Sequence, residues 1–263
     1  MINKVIAFMM LLAFTSFGTN LKSQDIAPEP VAGKSLTSKI LKNHMIYPQE
    51  ALGQKKSGKI AVSFTVGTDG FGKDFKVAES FDEECGAEAV RLVKMIEWKP
   101  ATSDSKPVEY QMSYTVDFSA KQYAKAEAKS PRPTLPRQSH PAQRSNKVYK
   151  LEELHTSPRF YFENPEATIG GYLRTELKYP DQAKQFEIQG TVKMSFIVET
   201  DGRASNIVIE NSVGGGCDNE AVRLLQNLLW TPGVKNDSLV RTRMTQEITF
   251  KIGESNYFDG NAY

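Results

Sequence analysis

The chain has 263 residues, 40% of them hydrophobic and 10% aromatic, with a formal net charge of +2. That is enough for two small soluble domains and too weakly basic for a nucleic-acid binder, and no basic helix or aromatic RNA signature alters this. The histidines are His44, His140 and His155 and the cysteines Cys85 and Cys217. Neither set has metal-ligand spacing or pairs a nucleophile with a base, so no catalytic residue, metal, cofactor or small-molecule substrate is assigned.

Lys4, an apolar run over 5–17 and the polar residues Thr19, Ser23 and Gln24 have the form of a secretory leader. Such a run is short of the roughly 20 residues that cross a bilayer as a helix. The reading is export, with 1–24 removed and the protein periplasmic; the alternative is an uncleaved inner-membrane anchor facing the periplasm. Residues 25–33 (DIAPEPVAG) read as an extended entry strand. Ile40 and Leu41 share one side of 38–45, and Pro48 opens a short helix that turns Ala51 and Leu52 inward. From Lys59 the period becomes two: Ile60, Val62, Phe64 and Val66 alternate with polar or small residues, a half-buried strand. Asp69-Gly70 supplies a hairpin turn, and Phe75 and Val77 lie on the returning strand. Ala89, Val90, Val93 and Ile96 mark one apolar face of a helix that Trp98-Lys99-Pro100 stops. A strict alternation through Tyr110, Met112, Tyr114, Val116 and Phe118 predicts a long closing strand.

The pattern then returns. Shifting the sequence by 132 positions lays 47–118 on 179–250 without a gap, with 22 of 72 positions identical. Unrelated sequence of average composition would match at roughly one position in fifteen. A period this long means two complete domains. The second copy predicts a helix at 180–183, strands at 191–198 and 206–212 around Asp201-Gly202, a helix at 219–229 and a closing strand at 240–250. Each unit is therefore an α+β domain, a small three-stranded antiparallel sheet covered by two helices. The expected division is 1–24 leader, 25–119 first domain, 120–157 linker, 158–252 second domain and 253–263 tail.

Between Lys121 and Lys150 basic residues far outnumber Glu127, and Pro131, Pro133, Pro136 and Pro141 are interspersed. This stretch reads as extended and solvated, a linker joining independent modules or a basic tether on an anionic surface. Cys85 and Cys217 each open the second helix of their own unit. Two buried thiols are the leading reading, beside a bridge between facing domains or a reactive thiol at a helix N-terminus. Gly214-Gly215-Gly216 is a turn rather than a phosphate cradle, since Asp82, Glu83 and Glu84 stand at the aligned positions.

The ordered set Tyr179-Pro180-x-x-Ala183, the strand from Gly190, Asp201-Gly202, Gly216-Cys217-Asp218-Asn219-Glu220-Ala221, Trp230-x-Pro232 and the closing strand to Phe250 resembles the C-terminal domain of TonB. Tyr47-Pro48-x-x-Ala51, Gly58, Asp69-Gly70, Trp98-x-Pro100 and Phe118 repeat it, and the glycine-cysteine helix start resembles Bacteroidetes-type versions. The resemblance implies a non-catalytic periplasmic module that binds a short segment, the TonB box, of outer-membrane transporters as an added strand. It also implies an N-terminal membrane helix and a Pro-rich spanning region; here the Pro-rich stretch lies between the two units. The partners expected are TonB-box-like segments of transporters, and the alternative is an adaptor bridging other envelope proteins.

On the closing strand of the second unit, Val240, Thr242, Met244, Gln246, Ile248 and Phe250 are assigned to the core. Arg241, Arg243, Thr245, Glu247 and Thr249 then point away, leaving the backbone to pair with an added strand while the arginines steer an acidic or polar peptide. Tyr179 and Pro180 complete the candidate site. The first unit presents acidic residues over 109–117 instead. The alternative is that the tail or the other domain covers this edge.

Overall fold

The computed structural model describes residues 26–129, 134–143 and 145–253. The expected leader and the tail aromatics Tyr257, Phe258 and Tyr263 lie outside them. The first unit runs β1 (Glu29–Pro30), α1 (Lys34–His44), α2 (Gln49–Gly53), β2 (Gly58–Val66), β3 (Gly72–Glu79), α3 (Glu83–Lys94), β4 (Trp98–Lys99), β5 (Ala101–Ser103), β6 (Lys106–Val108) and β7 (Tyr110–Phe118). Then come α4 (Ala120–Lys129) and β8 (Val148–Tyr149). The second unit has β9 (Arg159–Tyr161), α5 (Ile169–Glu176), α6 (Asp181–Gln185), β10 (Gly190–Val198), β11 (Ala204–Asn211), α7 (Cys217–Asn227), β12 (Leu229–Thr231), β13 (Gly233–Lys235) and β14 (Ser238–Phe250).

The central sheets are antiparallel and equivalent, β3-β2-β7 in the first unit and β11-β10-β14 in the second. Period-two alternation decides which faces are dry: Ile60, Val62, Phe64 and Val66 are buried under α3, and Val192, Met194, Phe196 and Val198 fill the same places in the second core. The entry strand pairs as its proline content requires, with Pro30 opposite Trp98 in a two-stranded ladder, and Phe160 opposite Trp230 repeats the arrangement.

Hydrogen bonds recur at the same spacing and explain several repeated residues. Tyr47 Oη donates to the Lys56 carbonyl and Tyr179 Oη to that of Ile188, while each ring stands edge-on to the last phenylalanine, Phe118 or Phe250, at 5.5 and 5.7 Å. Gly70 and Gly202 adopt φ of 81° and 80°, and their carbonyls accept from the Trp98 and Trp230 amides. A Cβ on Gly70 would lie 2.5 Å from the Trp98 carbonyl oxygen, so the turn needs glycine both for its backbone angle and for space. Glu88 accepts from Ile46 N at 2.7 Å and from Arg91, whose Nη2 reaches the His44 carbonyl at 2.6 Å. Glu220, Lys178 N, Arg223 and the Glu176 carbonyl reproduce this clamp. It ties the C-terminal carbonyls of α1 or α5 to the long helix, satisfying groups that the helix end leaves open.

Two expectations are corrected. The 120–157 stretch is not uniformly extended and solvated: α4 forms directly after β7, its Tyr123 ring 5.2 Å from Tyr47, and β8 joins the second sheet alongside β14. The units are also not independent. Ile40 of α1 belongs to the core cluster of the second unit, and the 95–97 turn lies on the outer face of its sheet. Asn206, at φ 48°, grips this turn by donating to Met95 O at 2.9 Å and accepting from Glu97 N at 2.8 Å. His44, 2% exposed, stands between the units: Nε2–H donates to Ala204 O and Nδ1–H to Asp201, both at 3.1 Å.

Candidate functional site: the outer edges of the closing strands

The alternation expected for β14 holds. Val240, Thr242, Met244, Gln246, Ile248 and Phe250 are all buried. Thr242 is paired on one side with Val198 of β10 and on the other with Tyr149 of β8, so the linker strand runs along the edge opposite β10. Leu239 uses its own amide and carbonyl toward Pro141 and Gln143 on that same edge. Since successive residues of a strand turn their polar groups to opposite edges, the odd-numbered residues address it. Beyond Thr242, along 243–250, no backbone group of the described residues occupies it.

The arginines do something other than steer a ligand. Arg241 is 6% exposed; Nε and Nη2 grip Glu199 at 2.8 and 2.7 Å, Nη2 also reaches Met95 O at 2.7 Å, and Nη1 reaches Asn146 O at 2.9 Å. Arg243 Nη2 is 2.8 Å from both carboxylate oxygens of Glu97 in the first unit. The outer face of the sheet is covered there by the other unit, so Arg241 is a buried structural cation rather than a free one. Thr245 is exposed; Glu247 and Thr249 are half-buried, Glu247 opposite Lys193 and Thr249 with its hydroxyl 2.9 Å from that of Thr191. Tyr179 and Pro180 are not brought to this edge. Tyr179 packs on Phe250, and Pro180 precedes α6 against Gly216.

The cysteines are free and buried, one in each core. Burial, with the Asp82 carboxylate beside it, pushes the Cys85 thiol up to about 12, and burial also raises Cys217. Neither is a reactive thiolate. The triglycine is a turn with φ of 80°, 59° and 91°, and the Val213 and Gly214 amides already donate to Asp218. An anion finds no free cradle at those amides.

Sequence reasoning missed the contacts between units and the Glu–Arg clamp. The identical Glu-Ala-Val-Arg-Leu at 88–92 and 220–224 was a signal for the clamp. The contacts between units left none, because Asp201, Asn206, Arg241 and Arg243 have no partner visible in local pattern.

Two repeats of one small α+β unit, each closing on a long strand and burying its single cysteine, define a tandem two-domain chain. The model of the Gram-negative bacterial TonB protein C-terminal domain matches residues 43–120 and 175–252, and the chain belongs to that family. Among solved structures, the Pseudomonas aeruginosa TonB C-terminal domain is 27% identical, over 28% of this chain and 75% of that one, with a TM-score of 0.24. The Helicobacter pylori TonB C-terminal domain is 20% identical, over 33% of this chain and 92% of that one, with a TM-score of 0.25. No curated protein matches.

Proposed function

We propose that this chain is a periplasmic protein-binding partner in TonB-dependent outer-membrane transport that takes up short extended segments of transporters by strand addition to the outer edge of a closing strand. The observation that carries the reading is the edge of β14 beyond Thr242 and the edge of β7 away from β2, which no strand pairs among the described residues, in a member of this family, since main-chain pairing supplies affinity and alternate side chains supply selectivity. Thr245, Glu247 and Thr249 flank that edge in the second unit. No described helix is long and apolar enough to cross a membrane. A second reading, an envelope adaptor without energy transduction, is favoured by the Pro-containing stretch lying between the units and by the Glu97–Arg243 pair that fixes them to each other.

Titrating TonB-box-like peptides into the isotopically labelled full chain tests the first reading, with amide shifts expected along 110–118 or 243–250. Silence on both strands rejects it. N-terminal sequencing from the envelope fraction checks export: the chain should begin near Asp25, and retention of Lys4 and Val5 would show an anchored protein.

A further inference from the structure

The linker segment along β14, residues 141–143 and 145–149, is held more firmly than a connection requires. Leu239 donates to Pro141 O and accepts from Gln143 N, each at 2.8 Å. Val148 and Tyr149 then pair in parallel with Arg241 and Thr242. Tyr149 is 8% exposed; its ring lies under the Lys147 and Lys235 ammonium groups at 4.5 and 4.8 Å, and its hydroxyl accepts from Gln143 Nε2 at 3.2 Å. A main-chain ladder with one anchored aromatic side chain is the form in which an extended peptide adds to a sheet. The second unit already carries such a peptide, and it is the protein's own linker.

Among the described residues, the first unit has the same edge without an occupant. Glu109 and Tyr110, the counterparts of Arg241 and Thr242, have no strand beside them on the side away from β2 among the described residues. Tyr110, Met112 and Tyr114 are only half-buried, where the second unit has buried Thr242, Met244 and Gln246. The residues 132 positions before Val148 and Tyr149 are Ser16 and Phe17, within the expected leader. The charge also fits: the linker peptide carries Arg144 and Lys147, and the closing strand of the first unit carries Asp117 near its end and is preceded by Glu109, whose carboxylate is shared with Lys73.

We propose that the strap of residues 141–143 and 145–149 is an internal occupant that closes the front half of the docking edge of the second unit, and that the β7 edge of the first unit is where a partner segment enters. The partner takes the form of the strap: an extended, basic segment laid parallel to β7 with an aromatic residue in the place of Tyr149. This rests on the strand-addition reading above.

The probe is a capped peptide of residues 141–150 added to the labelled full chain and to a Val148→Gly/Tyr149→Ala variant with a loosened strap. The native chain should shift along 109–114 and stay silent along 239–244. The variant should gain shifts along 239–244, with affinity there at least about tenfold above the native chain. Peptide taken by β14 of the native chain as readily as by β7 overturns the occupancy. Binding to β14 of the variant, with neither edge of the native chain responding, overturns the β7 assignment and leaves strand addition standing. Silence in both proteins overturns this proposal and strand addition together. One readout needs no variant: the Leu239 amide, bonded to the strap, should exchange with solvent far more slowly than those of Thr245 and Glu247, and equal rates would refute an occupied edge.

Discussion

Replacing Arg241 with methionine is the sharpest test of the packing between the units. The guanidinium is buried and holds the Glu199 carboxylate, the Met95 carbonyl of the first unit and the Asn146 carbonyl of the strap. Methionine keeps much of the volume and removes every donor, leaving Glu199 with the Ser205 hydroxyl as its remaining neutral partner. Breaking one half of a buried ion pair costs about 3–5 kcal/mol, because the surviving charge stays desolvated and unpaired. At about 2–4 °C per kcal/mol for a chain of this size, the melting midpoint should fall on the order of 10 °C. The assay is urea and thermal unfolding followed in single-tryptophan backgrounds, since Trp98 and Trp230 are buried one in each unit. Both probes should move, and the Arg241→Met/Glu199→Leu double variant should recover most of the loss by removing the stranded charge as well. A single-variant cost below about 1 kcal/mol, or a loss confined to Trp230, would refute the claim that Arg241, through the Met95 carbonyl, joins the units.

Burial opposes ionisation of Asp201, but the His44 ring, the Arg203 amide and the Arg203 guanidinium outweigh it and hold its carboxyl well below the usual range. A depressed folded-state pKa stabilises above the unfolded value of about 3.9 and is lost as pH falls below it. Urea midpoints should therefore drop below about pH 4 more steeply for the native chain than for Asp201→Asn, and parallel curves would remove the pair from the account. Cys85 and Cys217 should resist alkylation until the chain unfolds and show no cross-link to each other by non-reducing mass spectrometry; modification at native rates would place them outside the cores. Thr245→Pro deletes an amide on the edge opposite β10, so folding stability should stay within about 1 kcal/mol; unfolding would mean that the amide serves the internal ladder. Gly70→Ala should cost at least about 1–3 kcal/mol by denaturant titration, since it adds a strained backbone and a clash with Trp98; a neutral result would mean that this turn rearranges freely.

Whatever repeats locally was legible. Alternation identified β2, β7, β10 and β14 and assigned their inward faces correctly, because a two-residue period leaves each side chain one choice of face. Asp-Gly marked both hairpins, and the position of each cysteine within its own repeat explained why the thiols stay apart. The reading of Arg241 and Arg243 failed for a different reason. Pointing away from one core does not mean facing solvent: the outer face of that sheet is where the first unit sits, and no pattern within 240–250 records what lies 146 residues earlier. The strap was hidden likewise: its composition is that of a solvated linker, and it is ordered by the backbone of β14 and the aromatic anchor of Tyr149 rather than by any periodicity of its own.

The contact between the units joins unlike faces of two similar bodies, the α1 end and the 95–97 turn of the first against the sheet face of the second. Such a contact is head-to-tail in kind, and nothing in its chemistry requires both faces to come from one polypeptide. The first unit of one molecule can meet the second unit of another through the same Glu97–Arg243 and His44–Asp201 pairs. What favours the closed chain is then the tether alone, which holds the two faces at an effective concentration on the order of millimolar. At protein concentrations above that value, geometry alone allows the same contacts to form between molecules as readily as within one.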